Sequence, residues 1–187
     1  MLTFDIDNRE IDRIGKELDA TPKEIRFSFS RALRRTAGTL RKESSKGLQS
    51  ELGLRRAKIL RRRLKDFRLK RSQGMDEVKI WYGLNNLPVS EFKGQVSETS
   101  TGAQHRGKLG THTVEGGFIR KKGGRGKNTI LRRLKRTTHP VAEATLPIRD
   151  RANVFVEDEI FTQLQDVFFR AFRDDLTRRV AYLRSGT

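Results

Sequence analysis

The chain has 187 residues, of which 34% are hydrophobic and 34% charged, and this length and composition are typical of a folded protein of about one domain. It contains no cysteine, which excludes disulfide bonds, thiolate zinc sites and a cysteine nucleophile. No apolar run approaches the ~20 residues that a transmembrane helix needs. The N-terminal residues are acidic and amphipathic, unlike a signal or transit peptide, so we expect synthesis in the cytoplasm.

The net charge of +18 is unevenly distributed along the chain. Residues 25–149 hold 31 basic and 9 acidic residues, a net charge of +22, whereas the two flanks together carry a net charge of −4. Ordinary surface lysines and arginines are interspersed more evenly with acids. The pattern therefore predicts contact with a polyanion or with the acidic faces of partner proteins.

Two helices are predicted near the N-terminus. Apolar residues at spacings i, i+3 and i+7 predict a helix over about residues 8–19. Thr21 and Glu24 have the spacing of a capping box, and helical periodicity continues over about 22–46, where Gly47 is the expected stop. At 1.5 Å per residue this second helix is ~38 Å long, and we expect it to lie along an interface.

A short helix and a β-hairpin are predicted next. Residues 54–64 keep helical spacing, but from residue 65 onwards apolar and basic residues alternate as in a strand. A turn is expected at 72–74, and alternation over 78–82 predicts the second strand. A further strand is expected over 142–148.

Residues 94–128 contain nine of the sixteen glycines among Ser, Thr and Lys. This composition predicts a long flexible basic loop, of a kind that is functional or becomes ordered when a partner binds. Short strands near 112–120 and 128–133 are expected to interrupt it.

The C-terminal segment keeps helical apolar spacing from Val156 to Leu183 and predicts a helix that forms the core. Phe161 and Phe169 fall off its main stripe, which predicts a second buried face and an oligomer. The candidate core or oligomer residues are Phe161, Phe168, Phe169 and Phe172. Together these elements predict an α+β fold over 1–187 as a single domain, with long N-terminal helices and a C-terminal helix on a small, mostly antiparallel sheet.

The histidines do not predict a metal site. His105 and His112 lie in the Gly-rich segment with only Glu115 as a nearby acid, and His139 stands apart. We expect solvated side chains, and no catalytic, metal or cofactor site is assigned.

Asp66 with Glu77-x-Lys79 fits the acid…acid-x-Lys pattern of metal-dependent nucleases. Such short matches are frequent in a chain of this charge. Strand alternation explains them more simply, with Val78 and Ile80 facing the core and Glu77 and Lys79 facing water.

Contact with phosphates, without reading of base sequence, is compatible with the basic residues of the middle segment. No zinc finger, basic zipper or base-stacking aromatic strand is present in the sequence. The candidate basic residues are Arg61, Arg62, Arg63, Arg68, Arg120, Lys121, Lys122 and Arg125.

Several segments in a fixed order resemble the minor tail protein Z (tail completion) family of tailed bacteriophages and prophages. The likeness extends from about residue 25 to 175, and the order of the segments carries it. The segments are SRALRRTA (30–37), AKILRRR (57–63), VKIWYGLN (78–85) with LPV (87–89), GGFI (116–119), ILRR (130–133) and ATLPI (144–148).

The resemblance implies a structural protein of the virion neck, without enzyme activity or cofactor, which acts in tail completion and head–tail joining. It implies a homo-oligomeric ring around the DNA channel, in contact with a tail terminator, a head–tail connector or the tail tube. Basic contacts to DNA or to a neighbouring subunit are then expected from Arg61, Arg62, Arg63, Arg120, Lys121, Lys122 and Arg125. The loop that docks a partner is expected at Gly116, Gly117, Phe118 and Ile119.

Two other classes stay open at this point. A basic nucleic-acid-binding protein of ribosomal type is predicted by charge alone, and it would bind RNA or DNA in isolation with a steep salt dependence. A metal-dependent nuclease is the third alternative.

Overall fold

The structure is a computed structural model, and it describes residues 6–69, 77–120, 128–134 and 140–185. Helices and antiparallel strands both occur in this part of the chain, so the predicted α+β class is confirmed. None of the described helices is both long enough and apolar enough to cross a bilayer.

The chain divides into two compact units. The first comprises Met1–Ser44, Leu64–Tyr82 and Glu157–Thr187, and the second comprises Ser45–Arg63 and Gly83–Val156. The chain passes four times from one unit to the other, so neither unit is a continuous piece of sequence. A single domain over 1–187 stays a prediction.

Helices α1 (Asn8–Glu17) and α2 (Pro22–Glu51) lie close to their predicted positions. The backbone N–H of Thr21 donates to the Glu24 carboxylate at 2.6 Å, and the backbone N–H of Glu24 donates to the Thr21 hydroxyl at 3.4 Å. These reciprocal bonds satisfy N–H groups that a helix start leaves without intrahelical partners. The predicted capping box is confirmed.

The predicted end of α2 at Gly47 is wrong. The residue that ends the helix is Gly53, which has φ +64°, and the N–H of Leu54 donates back to the carbonyl of Gln49 at 2.9 Å. Glycine adopts this left-handed conformation without the steric penalty of a Cβ, as in a Schellman motif. Gly47 lies inside the helix, where its missing side chain leaves space for the ring of Phe155.

The hairpin of the first unit consists of β1 (Leu64–Leu69) and β2 (Glu77–Tyr82). Leu64 pairs with Tyr82 and Leu69 with Glu77 in antiparallel register, which confirms the predicted hairpin. Its expected turn at 72–74 lies outside the described residues.

The predicted helix over 54–64 is shorter than expected. Helix α3 spans only Lys58–Arg61, because each end of the segment joins other structure. Leu54 forms an antiparallel bridge with Phe92, and Leu64 opens β1. Tertiary pairing overrides helical periodicity here.

The described strands of the second unit are β3 (Leu87–Pro88), β4 (Gln95–Thr99), β5 (Gly102–Gly107), β6 (Gly110–Glu115), β7 (Phe118–Arg120), β8 (Thr129–Arg133), β9 (Val141–Glu143) and β10 (Thr145–Leu146). They form three small antiparallel sheets, in the orders β10–β3, β4–β5–β6 and β7–β8–β9. A 3₁₀ turn, Val89–Glu91, follows β3. The predicted strand over 142–148 is replaced by β9 and β10.

The prediction of a flexible loop over 94–128 is wrong for its described part. Residues 95–120 form strands β4 to β7, and the short strands expected near 112–120 and 128–133 are confirmed. A Cβ on Gly102 would lie 2.2 Å from the carbonyl oxygen of Val114, and Gly110 turns the chain at φ +95°. These glycines allow close backbone approach and a tight turn. Residues 121–127 lie outside the described residues.

An ion triad connects three elements of the second unit. The Glu51 carboxylate accepts a hydrogen bond from Arg151 at 2.6 Å and lies 3.6 Å from the Lys108 ammonium. The hydrogen bond from Arg151, followed by the charges of both cations, holds the pKa of Glu51 below its ordinary value despite some burial.

The C-terminal segment is interrupted before its long helix. Helix α4 (Arg149–Phe155) is followed by a π-helical turn (Val156–Ile160), a 3₁₀ turn (Phe161–Gln163) and α5 (Leu164–Ser185). The predicted continuous α-helix from Val156 is therefore wrong at its start.

The core of the first unit is built by α1, α2 and α5. Its buried residues stand at helical spacing on each helix, and this confirms that the C-terminal helix forms a core. They are Ile11, Ile14, Phe29, Ala32, Phe168, Phe172, Leu176 and Val180.

Candidate anion-binding and docking surfaces

A cleft of about 380 Å³ in the first unit is lined by arginines from two helices. Helix α2 contributes Arg31 and Arg35, which are one turn apart, and α5 contributes Asp175, Arg178 and Arg179. We call this feature the arginine cleft. Its four guanidinium groups and one carboxylate sum to +3, so the local potential favours an anion.

Asp175 holds two of these arginines in place. Its side chain is only 6% exposed, and Oδ1 lies 3.2 Å from Nε of Arg31 and 3.8 Å from Nη1 of Arg35. Oδ2 accepts no hydrogen bond from the described residues. A single carboxylate cannot saturate the N–H donors of two guanidinium groups, and both arginines remain about half exposed. The arrangement fixes the arginines and leaves donors for a ligand.

The rim of the arginine cleft is apolar and exposed. The Arg179 guanidinium carbon lies 5.2 Å from the centroid of the Phe27 ring, which is cation–π geometry. Phe27 is 51% exposed, and the lining residues Tyr182 and Leu183 are 77% and 50% exposed. Arginine and aromatic residues are enriched at protein interfaces, whereas lysine is depleted, and the described lining of the cleft contains no lysine.

Sequence reasoning did not select the arginine cleft, although one signal for it was present. Asp175 follows Phe168 and Phe172 at helical spacing, so it occupies a position on the apolar stripe of α5. A carboxylate at a core position predicts a buried ion pair, and the arginines of α2 were available as partners.

The predicted basic contacts Arg61, Arg62 and Arg63 lie at and just after the end of α3. Arg61 and Arg62 are exposed, whereas Arg63 is half-buried. The Arg63 guanidinium donates to the backbone carbonyl of Asn85 at 2.7 Å. Arg63 is thus at least partly structural, and Arg61 and Arg62 are accessible to a ligand.

The predicted docking loop is a turn and a strand. Gly116 has φ +64°, with no atom within 4 Å of the position of an added Cβ, and a Cβ on Gly117 would lie 2.8 Å from the carbonyl oxygen of Val114. Ile119 belongs to β7 and is half-buried. This segment is therefore held by strand pairing, and the prediction that a partner docks on it stays a prediction.

Phe118, the third residue of that segment, is 36% exposed, and a guanidinium group lies over its ring. The Arg133 guanidinium carbon lies 5.7 Å from the centroid of its ring. Arg120 is exposed and pairs with Thr129. The remaining predicted contacts, Lys121, Lys122 and Arg125, lie outside the described residues.

The four phenylalanines predicted for the core or an oligomer occupy different environments. Phe168 and Phe172 are fully buried, and their rings stack with centroids 5.9 Å apart. Phe169 is half-buried and packs its ring against Phe168 at 5.3 Å. Phe161, also half-buried, contacts the ring of Tyr82 edge-on at 6.1 Å. All four pack within the first unit, and an oligomer formed through them stays a prediction.

The prediction of solvated loop histidines is wrong for His105. His105 is only 2% exposed, on β5, and pairs across the ladder with His112, which is half-buried. Burial, reinforced by His112, lowers the pKa of His105 below its ordinary value. Among the residues whose side chains are described, no three His, Asp or Glu groups could hold a metal ion. His139 lies outside the described residues.

The two acidic positions of the nuclease pattern are separated along the hairpin. Asp66 pairs with Ile80 and Glu77 pairs with Leu69, so the two positions are three residue steps apart along the ladder. At ~3.4 Å per residue this corresponds to ~10 Å along the strand. The register therefore gives no support to a shared metal ion between these two positions.

Comparison of the chain with protein-family models, with curated proteins and with solved structures finds no match.

Proposed function

We propose that this chain is a structural protein of the tail-completion type, which acts at the head-proximal end of a phage tail and joins the tail to the head. The arginine cleft is the observation that carries this proposal. It combines fixed positive charge with exposed Phe27, Tyr182 and Leu183, which is the composition of a protein-docking surface. The tail-completion type is proposed because the segments between residues 30 and 148 follow one another in the order that resembles that family.

In this role the chain is made in the host cytoplasm and carried in the virion. It forms a ring around the channel that DNA crosses and contacts a tail terminator, a head–tail connector or the tail tube. Its net charge of +18 balances the phosphates of the passing DNA without reading base sequence. No chemical step and no cofactor is part of the proposal.

Exposed basic residues favour a second candidate, a nucleic-acid-binding protein of ribosomal type. Arg61, Arg62 and Arg120 are all exposed. Such a protein binds a duplex or a structured RNA as an isolated chain, and log K falls with log [salt] at a slope of about −0.9 per phosphate contacted on B-DNA. A tail-completion protein need not bind nucleic acid tightly before it is assembled.

Deletion of the gene from the phage or prophage that carries it tests the proposed function. Electron microscopy of the lysate is expected to show filled heads and tails that are not joined, and a plasmid copy of the gene is expected to restore joined particles. Joined and infectious particles without the gene would refute the proposal. Steep, salt-sensitive binding of nucleic acid by the purified chain, together with normal particles, would establish the second candidate instead.

A further inference from the structure

An exposed acidic segment lies at the opposite end of α5 from the arginine cleft. Glu157, Asp158 and Glu159 stand in the π-helical turn, and all three are exposed. The described residues provide no ion-pair partner for their carboxylates. We call residues 157–159 the acidic turn.

Two side chains that follow the acidic turn bond to its backbone. The Thr162 hydroxyl donates to the carbonyl of Asp158 at 2.9 Å, and the Gln163 amide donates to the carbonyl of Glu159 at 2.6 Å. Both bonds run from residue i to the carbonyl of residue i−4, which is the carbonyl that accepts the backbone N–H of residue i in a regular α-helix. π-helical turns occur frequently at functional sites, and this one presents three successive carboxylates.

The acidic turn cannot reach the arginine cleft of its own molecule. Helix α5 begins at Leu164, and Arg178 stands fourteen residues further along it. At 1.5 Å per residue this places ~20 Å of rigid helix between the turn and the cleft. Complementary charges at opposite ends of one helix can be joined only between molecules.

We propose that the acidic turn of one copy docks into the arginine cleft of the next copy. This inference rests on the proposed function and names the contact that would close its ring. The contact is heterologous, since different surfaces of the two copies meet, and such contacts build rings or filaments. A charge of −3 on the acidic turn meets +3 in the cleft, and Asp175 keeps Arg31 and Arg35 in position before docking.

The apolar rim of the cleft favours a protein over a nucleic-acid backbone. The exposed side chains of Phe27, Tyr182 and Leu183 suit contact with apolar groups of a protein surface, which a phosphate backbone does not offer. The arginines themselves do not discriminate, because their planar donors match carboxylates and phosphates in the same bidentate geometry.

Two charge-reversal variants of the full chain test this contact. The cleft variant R35E/R178E leaves Arg31, the nearer partner of Asp175, in place. The turn variant E157K/E159K leaves the rest of the turn unchanged. Sedimentation velocity up to ~100 µM is expected to show self-association of the wild-type chain, and each variant alone is expected to associate at least about tenfold more weakly.

A 1:1 mixture of the two variants is expected to restore self-association. The acidic cleft of one variant then faces the basic turn of the other, and the wild-type cleft faces the wild-type turn. Restoration requires both chains to be folded, so it separates a lost contact from a lost fold. The matched control R106E/R132E changes the net charge by the same amount at two exposed positions outside the cleft and is expected to associate as the wild type does.

Each contrary result overturns the contact and leaves the proposed function standing. These results are a wild-type chain that stays monomeric, variants that each associate normally, or a mixture that does not recover. A cleft variant that loses affinity for a duplex DNA fragment while its self-association is unchanged would assign the cleft to phosphate. Normal particles from the gene deletion refute the function independently of any of these outcomes.

Discussion

Replacement of Phe168 by alanine tests whether α5 is a core helix. Phe168 is fully buried, and its ring centroid lies 5.3 Å from that of Phe29, 5.3 Å from that of Phe169 and 5.9 Å from that of Phe172. Truncation of a buried phenylalanine costs about 3–5 kcal/mol, and the loss of three aromatic pairs places Phe168 at the upper end of that range. We therefore expect Phe168→Ala to lower the free energy of unfolding by about 4–5 kcal/mol.

That loss is a large part of the ~5–15 kcal/mol by which native proteins are stable, so it is measurable by urea unfolding followed by far-UV circular dichroism. Tyr182→Ala is the matched control on the same helix. Its side chain is 77% exposed, and surface substitutions of this kind stay within about 0.5 kcal/mol. A loss below about 2 kcal/mol for Phe168→Ala, or an equal loss for both variants, would refute the assignment of this helix face to the core.

Three further predictions concern α1–α2, α2 itself and β5. Thr21→Ala removes the cap of α2 and is expected to cost about 1 kcal/mol in urea unfolding; an unchanged midpoint would contradict the role of the capping box. Gly38→Ala, with no atom within 4 Å of the added Cβ, is expected to raise the unfolding free energy by about 0.5–1 kcal/mol. Gly47→Ala is expected to lower it, because its Cβ would lie 2.4 Å from the ring of Phe155; the same sign for both would be inconsistent with this packing. The folded chain resists protonation of His105, so the free energy of unfolding is expected to fall as the pH drops below about 6.5. His105→Leu should reduce that dependence between pH 7 and pH 5, and an unaltered pH profile would assign it to other groups.

Local features of the fold could be predicted from the sequence because the interactions that create them are local. Thr21 and Glu24 are three residues apart and satisfy each other's backbone N–H groups, so neighbouring residues suffice to specify the start of α2. The hairpin of β1 and β2 follows in the same way from the alternation of residues in the two strand segments.

The glycines show where sequence reasoning failed. Their density over 94–128 predicted flexibility, whereas Gly102 and Gly117 permit close contact with the backbone of Val114. A glycine required for flexibility and a glycine required for close packing have the same local sequence signature. Only the partner strand distinguishes them, and that strand is identified by the fold.

The candidate site, too, could be predicted from the sequence only in part. Composition predicted a basic protein that contacts a polyanion or the acidic faces of partners, and this prediction needed no structure because charge is additive along the chain. Arg31 and Arg35 are about 140 residues from Arg178 and Arg179, and they meet only because the apolar stripes of α2 and α5 pack in one core. The sequence by itself determined the presence of α1, α2 and α5, the hairpin and the sign of the net charge. The tertiary structure decided which charges share a cleft, because contacts between distant segments depend on packing that local patterns do not encode.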